Sequence, residues 1–299
     1  MRYMTTLVGK RAFNLLGGSF TYGQHLAEIA GSQIYRIGDR RKTERCAHGG
    51  TCQVLDLVDF RREWEMQQRP QIIVTSVTND EDYRLDALRE MGALITVHDF
   101  RGFEDNPCLK SPRFKLIAIS RQVQQMYPHA QLWRHPYVRR CQNTPLAGRT
   151  TNLICHARID FNKRQADILA SGVPCLIRGS VNRAYWKWQL QPTFGIPLPE
   201  GFDDPYELLL NSRFCVDFTK MPGGDRGRTQ YSWLEAMDAG CIPICHHDWG
   251  QCEFQHLSAD KTDLASVLVS RSDEELMEMQ RLNWDFLKKH STMEGLTCW

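Results

Sequence analysis

Short apolar runs rich in β-branched residues recur along the chain: QIIVTSV (71–77), ALITVHD (93–99), KLIAIS (115–120), NLICHA (152–157), PCLIRG (174–179), RFCVDF (213–218) and CIPIC (241–245). Continuous runs of this length are the pattern of strands buried on both faces. Longer stretches between them place apolar residues at helical spacing and predict helices over 23–30, 83–91, 121–127, 230–239 and 273–289, each ending near Gly, Pro or another breaker. Strands alternating with helices predict parallel sheets with right-handed crossovers, an α/β fold. HPYVRRCQNTPLAGRTT, from His135 to Thr151, mixes two prolines, a glycine and polar residues between two strand-like runs and reads as a linker. The expected division is a first Rossmann-like domain over 1–140, a connection over 141–151, a second Rossmann-like domain over 152–280 and a C-terminal helix over 281–299. There is no internal repeat or low-complexity tract.

Composition narrows the class. A chain of 299 residues, 42% hydrophobic and 24% charged, is long enough for two cores and balanced enough to exclude a disordered tail. No stretch approaches the roughly 20 apolar residues that cross a bilayer. Met1 to Arg11 holds only a few apolar residues before Lys10 and Arg11, so a secretory leader is not expected and a cytoplasmic location is. Eleven cysteines, an odd number with several inside apolar runs, predict reduced core thiols rather than a disulfide framework.

Charge is unevenly placed. The net charge is +2, yet 106–159 carries nine Lys/Arg and no Asp/Glu: Lys110, Arg113, Lys115, Arg121, Arg134, Arg139, Arg140, Arg149 and Arg158. A one-sign island in a balanced chain predicts a polyanionic or phosphorylated partner.

Three segments carry candidate chemistry. In NLLGGSFTYGQHLAEIA (14–30), Gly17 and Gly18 allow a tight turn, and the helix start that follows presents N–H groups to an anion. The spacing is not Gly-x-Gly-x-x-Gly, and Gly18 to Gly23 is followed by Gln24 rather than Lys, so neither dinucleotide binding nor NTP hydrolysis is supported. NLICHARIDFNKRQADIL (152–169) is a strand, a turn with Arg158, Lys163 and Arg164, and a helix. Loops at the carboxyl ends of parallel strands line ligand crevices; an Arg there forks onto phosphate oxygens and a Lys acts as a point charge beside it. In PGGDRGRTQYSWLEAMDAGCIPICHHDW (222–249), a glycine-rich loop meets a helix carrying Glu235. Backbone N–H groups in such a loop hold phosphate or sugar oxygens, and a carboxylate a turn into the helix accepts hydroxyl hydrogen bonds. A zinc site built from Cys241, Cys245, His246, His247, Cys252 and His256, or from Cys46, His48 and Cys52, is disfavoured because no clean Cys-x2-Cys pair occurs and Cys241 and Cys245 fall in an apolar strand.

Together these segments resemble the GT-B glycosyltransferases, especially the large retaining family that uses nucleoside diphosphate sugars. The resemblance runs nearly the whole chain: the turn at Gly17–Gly18, TVHD at Thr96–Asp99, LIAIS at Leu116–Ser120, ARIDFNK, YSWLEAMDAGCIP at Tyr231–Pro243, and NWDFLKKHS (283–291) as a closing helix packing back on the first domain. It implies two Rossmann-like domains facing a cleft, the first binding acceptor and the second a nucleotide sugar, with UDP-sugar as co-substrate and no cofactor or metal required. Arg158 and Lys163 would neutralise the leaving diphosphate, Glu235 would bind the donor ribose, and His98 would line the cleft near the transferred sugar. Gly17, Gly18, Gly223, Gly224, Asp225, Arg228 and Tyr231 would complete the donor site. The family usually carries a second Glu eight positions before the first; here that position is Gly227, so sugar contacts fall to Asp225 or to loop N–H groups.

For the acceptor, the basic island with Arg113, Arg134, Arg139 and Arg140, interleaved with Phe114, Tyr127, Trp133 and Tyr137, suits phosphate contacts plus base stacking. GT-B enzymes of T-even-like phages glycosylate hydroxymethylated pyrimidines in DNA, and the chain is similar to them in class. That resemblance implies double-stranded DNA as partner, base flipping at the site, and the host cytoplasm as location if the chain is phage-encoded. A cell-envelope glycan or lipid acceptor, and a non-catalytic nucleotide-sugar or nucleic-acid binder on the same scaffold, stay open.

Overall fold

A computed structural model describes residues 2–8, 18–38, 42–45, 51–77, 82–98, 107–159, 163–179, 205–219 and 229–297. The chain divides into two compact units, 1–138 with 289–299, and 139–288.

The first unit is built on eight strands: β1 (Tyr3–Val8), β2 (Ile34–Ile37), β3 (Lys42–Arg45), β4 (Thr51–Leu55), β5 (Gln71–Val77), β6 (Leu94–Val97), β7 (Lys115–Ala118) and β8 (Gln131–Leu132), in the order 3-4-2-1-5-6-7-8. Every pairing is parallel except that of β3 with β4 at one edge. Ile72, Ile73, Val74, Ile95, Leu116 and Ile117 are fully or almost fully buried, as continuous apolar runs require in a sheet covered on both faces. Its helices are α1 (Gly18–Ala30), α2 (Leu57–Met66), α3 (Asp82–Glu90) and α4 (Arg121–Met126). The hydrophobic spacing did not disclose α2, because Phe60 is its one buried residue; the local signal is Asp56, whose carboxylate accepts from the Asp59 amide at 2.8 Å. At α1, Gly23 is needed for close packing: a Cβ there would lie 2.9 Å from Thr75 Oγ1 of β5.

In the second unit the strands are β9 (Thr151–His156), β10 (Leu176–Arg178), β11 (Ser212–Asp217), β12 (Ile242–His246) and β13 (Leu257–Ala259), all parallel, in the order 10-9-11-12-13. Its helices are α5 (Gln165–Ala170), α6 (Pro205–Leu210), α7 (Tyr231–Asp238), α8 (Leu264–Val267) and α9 (Asp273–Lys288). Helix α7 buries Trp233, Leu234, Ala236 and Met237. It ends at Gly240, whose left-handed φ of 81° follows the Gly240 N–H to Met237 carbonyl bond. A Cβ at Gly240 would also strike Gln280 and Arg149, so the glycine serves both the turn and the packing.

The expected helix over 281–299 is divided. Helix α9 ends at Lys288 in the second unit, and after a break α10 (Met293–Thr297) belongs to the first. The tail is held by main-chain bonds, Arg134 N–H to the Leu296 carbonyl at 3.0 Å and Tyr137 N–H to the His290 carbonyl at 2.8 Å. Gly295 lets the segment fold on itself, since a Cβ there would lie 2.3 Å from the Lys289 carbonyl oxygen.

Candidate functional site

In the second sheet, β9 and β11 are neighbours but their following connections leave in opposite directions, β9 to β10 on one side and β11 to β12 on the other. Ligand crevices of open parallel sheets form at this switch point, outside the carboxyl ends of the strands. Two polar side chains stand there: Asp217 closes β11 and His156 closes β9; α7 is the next described helix after β11.

Asp217 is 1% exposed and holds the Lys163 ammonium at 2.8 Å through Oδ2. Its Oδ1 accepts from the Thr219 N–H at 2.9 Å and from the Thr219 hydroxyl, and Ser232 Oγ donates to Oδ2 at 3.4 Å. Lys163 also donates to Gln230 Oε1, at the residue preceding α7. One turn along that helix from Ser232, Glu235 Oε2 lies 3.3 Å from His156 Nε2, each side chain about one-fifth exposed at 21%. Spacing of three along a helix puts Ser232 and Glu235 on one face.

Arg158 is exposed on the loop after β9, and its carbonyl accepts from Gln165 Nε2 at 3.0 Å. That loop has no room for a side chain beside it: a Cβ at Gly179 would lie 1.7 Å from the Ala157 oxygen. Arg164, next to Lys163, holds a left-handed φ of 52° and pairs with Asp167 at 2.5 Å. Uncommon backbone of this kind in a non-glycine residue concentrates at functional loops. Below the site, Trp249 Nε1 donates to the Thr219 carbonyl at 2.6 Å and its ring packs edge-on against Trp233 with centroids 4.0 Å apart, which fixes the turn after Asp217.

In the first unit, His98 follows β6 and its Nε2 lies 2.6 Å from the Thr75 carbonyl oxygen. A carbonyl only accepts, so Nε2 carries the proton. The Tyr22 ring packs edge-on against His98 with centroids 5.0 Å apart, and burial pushes the Tyr22 phenol up, so it stays protonated. Gly18 is the first residue of α1, after β1, and β1 and β5 flank the switch point of this sheet. Gly17, Gly223, Gly224, Asp225, Gly227 and Arg228 lie outside the described residues. Tyr231 is the first residue of α7, half-buried.

The basic island is dispersed by folding. Arg134 is buried and its Nη1 donates to the Gly295 carbonyl at 2.9 Å. Arg139 Nε donates to buried Asp238 at 2.9 Å, and the Arg140 N–H donates to the same carboxylate at 2.6 Å. Arg149 donates to the carbonyls of Thr144, Ser212 and Ala239 at 2.6–2.8 Å. Arg113 is exposed and 3.2 Å from Asp86. Phe114, Tyr127, Trp133 and Tyr137 are all core residues, at most 4% exposed, so the expected stacking surface does not exist. Spacing along a strand or loop carried no information about which side of the core each ring would take. Arg134 is likewise an internal brace, and Arg139, half-buried, is held by Asp238.

Cys241 and Cys245 are buried; burial pushes the Cys241 thiol up to about 12, and the Cys241 Sγ–H donates to the Leu209 and Ser212 carbonyls. Neither favours the thiolate a zinc ion takes. Cys46 and His48 lie outside the described residues. Among the described residues His247, Asp260 and Asp263 bring their ligating atoms within 4.8 Å of one another.

No protein-family model and no curated protein matches the chain. Solved structures do. An alpha-glucosyltransferase in complex with UDP is similar over 98% of this chain and 96% of its own, with a TM-score of 0.63 at 13% identity. An alpha-glucosyltransferase in complex with UDP and a 13-mer DNA containing a central A:G mismatch aligns over 97% and 95%, with a TM-score of 0.62 at 13% identity. HepE of Anabaena in complex with UDP-glucose aligns over 97% and 95%, with a TM-score of 0.58 at 11% identity. The chain has the GT-B fold. The two sheets, parallel but for the β3 edge, are its two Rossmann-like units, as the strand and helix pattern together with the motif resemblance led one to expect. In this GT-B chain the residues brought together at the second switch point include Lys163 and Glu235 from the motifs. They also include Asp217, Thr219, Gln230, Ser232 and His156, which the motifs did not single out. Asp217 had one local signal, a carboxylate inside the otherwise apolar stretch FCVDF.

Proposed function

We propose that the protein is a glycosyltransferase that moves a sugar from UDP to a hydroxyl of double-stranded DNA, in the family sense a hydroxymethylated pyrimidine. The observation that carries the reading is the Lys163 ammonium, seated at the switch point of the second sheet beside the start of α7, with Glu235 a turn further on. A cation there opposes the charge that develops on a leaving diphosphate, and Arg158, exposed on the same loop, adds a fork of donors. Glu235, held by His156, accepts from the ribose hydroxyls of the donor. In the transfer the bond from the anomeric carbon to the diphosphate oxygen breaks and a bond to the acceptor oxygen forms. The acceptor's proton passes to the leaving diphosphate on the same face, which retains configuration and uses no metal. His98, whose Nε2–H donates to the Thr75 carbonyl, is assigned to the transferred sugar by the motif resemblance alone.

For the acceptor, support comes from likeness to a structure that holds DNA and from exposed Lys110, Arg113, Lys115, Arg121 and Arg140. Incubation with a panel of nucleotide sugars and duplex DNA, with or without hydroxymethylcytosine, followed by mass spectrometry of the nucleosides, tests both halves. A hexose or pentose increment only in hydroxymethylated DNA is the expected result. Donor hydrolysis without any increment rejects DNA and leaves a glycan or lipid acceptor; nucleotide-sugar binding without hydrolysis rejects the enzyme.

A further inference from the structure

We infer that Asp217 is a positioning residue for the diphosphate, acting through Lys163; the inference rests on the donor reading above. A site that receives an anion gains nothing from a bare carboxylate, and this one is not bare. Asp217 is 1% exposed, and both its oxygens are saturated by donors from three elements: Lys163 from the loop after β9, Thr219 from the turn after β11, and Ser232 from α7. The two oxygens divide the work. Oδ1 is committed to the Thr219 turn, which Trp249 braces from the other side, and Oδ2 takes the ammonium.

Lysine is a flexible four-carbon stem with a point charge, so a free Lys163 would spread its charge over many rotamers and lose that freedom on each binding event. Among the described residues, Asp217 and the Gln230 amide oxygen hold two of its three N–H donors, with the side chain 16% exposed, and the third is assigned to an incoming oxygen. The cation is therefore placed before the donor arrives, which is how electrostatic preorganisation lowers a barrier.

Asp217→Asn separates this role from a merely structural one. Its remaining oxygen continues to accept from Thr219, while its amide N–H group faces the ammonium, donor against donor. UDP affinity by calorimetry and UDP-sugar turnover are measured for wild type, Asp217→Asn, Lys163→Met and the double variant. The expected result is a loss in UDP affinity and kcat/KM of about 10- to 100-fold for Asp217→Asn, as for a charged hydrogen bond. The double variant should then be no weaker than Lys163→Met alone. Losses that add, or an Asp217→Asn protein as active as wild type, overturn the inference while wild-type binding and turnover keep the donor reading. Wild type that binds no UDP overturns the donor reading and this inference with it. Where Asp217→Asn alone does not fold, comparing Lys163→Met with the double variant, in which no buried ammonium lacks its partner, decides: equal affinity supports the inference and a further loss overturns it.

Discussion

Arg158 and Lys163 lie five positions apart on one loop and differ in what holds them. Arg158 is exposed, so Arg158→Ala should leave the melting temperature within a degree or two of wild type while lowering UDP-sugar turnover by about 100-fold, the scale for removing one preorganised donor. Steady-state kinetics beside a thermal melt checks this. Near-normal turnover in both Arg158→Ala and Lys163→Ala removes the diphosphate assignment. Gly179 tests the same loop without touching a charge. A methyl group there meets the Ala157 oxygen at 1.7 Å, so Gly179→Ala must push the Arg158 loop away from β10. The expected outcome is lost turnover with both candidate cations still in the chain, and a lowered melting temperature.

At the scale of elements, α7 links the site to the connection between the units. Its last residue, Asp238, is fully buried and accepts from Arg139 Nε at 2.9 Å, the Arg140 N–H at 2.6 Å and the Cys141 N–H at 3.2 Å. One carboxylate thus fastens residues 139–141 to the helix that carries Ser232 and Glu235. Removing it leaves two N–H groups and a half-buried guanidinium without their acceptor. Asp238→Ala is therefore expected to cost about 3 kcal/mol in urea unfolding, in the range for breaking a buried ion pair. A loss under about 1 kcal/mol, the median for exposed pairs, would mean water replaces the carboxylate. Helix α9 contributes a second fastening, with Gln280 Nε2 donating to the Gly240 carbonyl at 2.7 Å and to the Thr144 carbonyl at 3.0 Å.

For the whole molecule, the C-terminal tail sets a pH dependence. His290 is buried in the first unit, its Nδ1–H donates to the His135 carbonyl at 2.6 Å, and burial, with Arg134 and Lys289 nearby, holds its pKa down at about 4. Above pH 6.5, the ordinary value, the imidazole is neutral in folded and unfolded chains and adds no pH dependence. As pH falls below that value the unfolded chain takes up a proton that the folded chain refuses until about pH 4. Stability is thus lost on acidification, by up to about 3 kcal/mol across that window. Hydrogen exchange of residues 289–297 between pH 7 and 4.5 should show this tail opening first. His290→Asn should flatten the dependence, and an unchanged profile in that variant would assign the acid sensitivity elsewhere.

What the sequence determined by itself was the architecture and the loops that could bear chemistry. Apolar runs such as QIIVTSV and CIPIC mark β5 and β12 because a strand covered on both faces favours apolar residues at nearly every position, with small hydroxyl residues such as Thr75 and Ser76 the buried exceptions. The loop with Arg158 and Lys163, and the helix with Glu235, were legible for the same reason: their positions follow from where a strand ends. Partners across the sheet were not legible. Asp217 is 54 residues from Lys163 and His156 is 79 from Glu235, and only the 10-9-11-12-13 strand order sets β9 beside β11. The nine cations of 106–159 gave the opposite lesson. Charge counted along a chain ignores burial, and folding draws Arg134, Arg139 and Arg149 onto internal oxygens and the island's four aromatic rings into the core, because unmatched carbonyls and apolar rings cost most where water is absent.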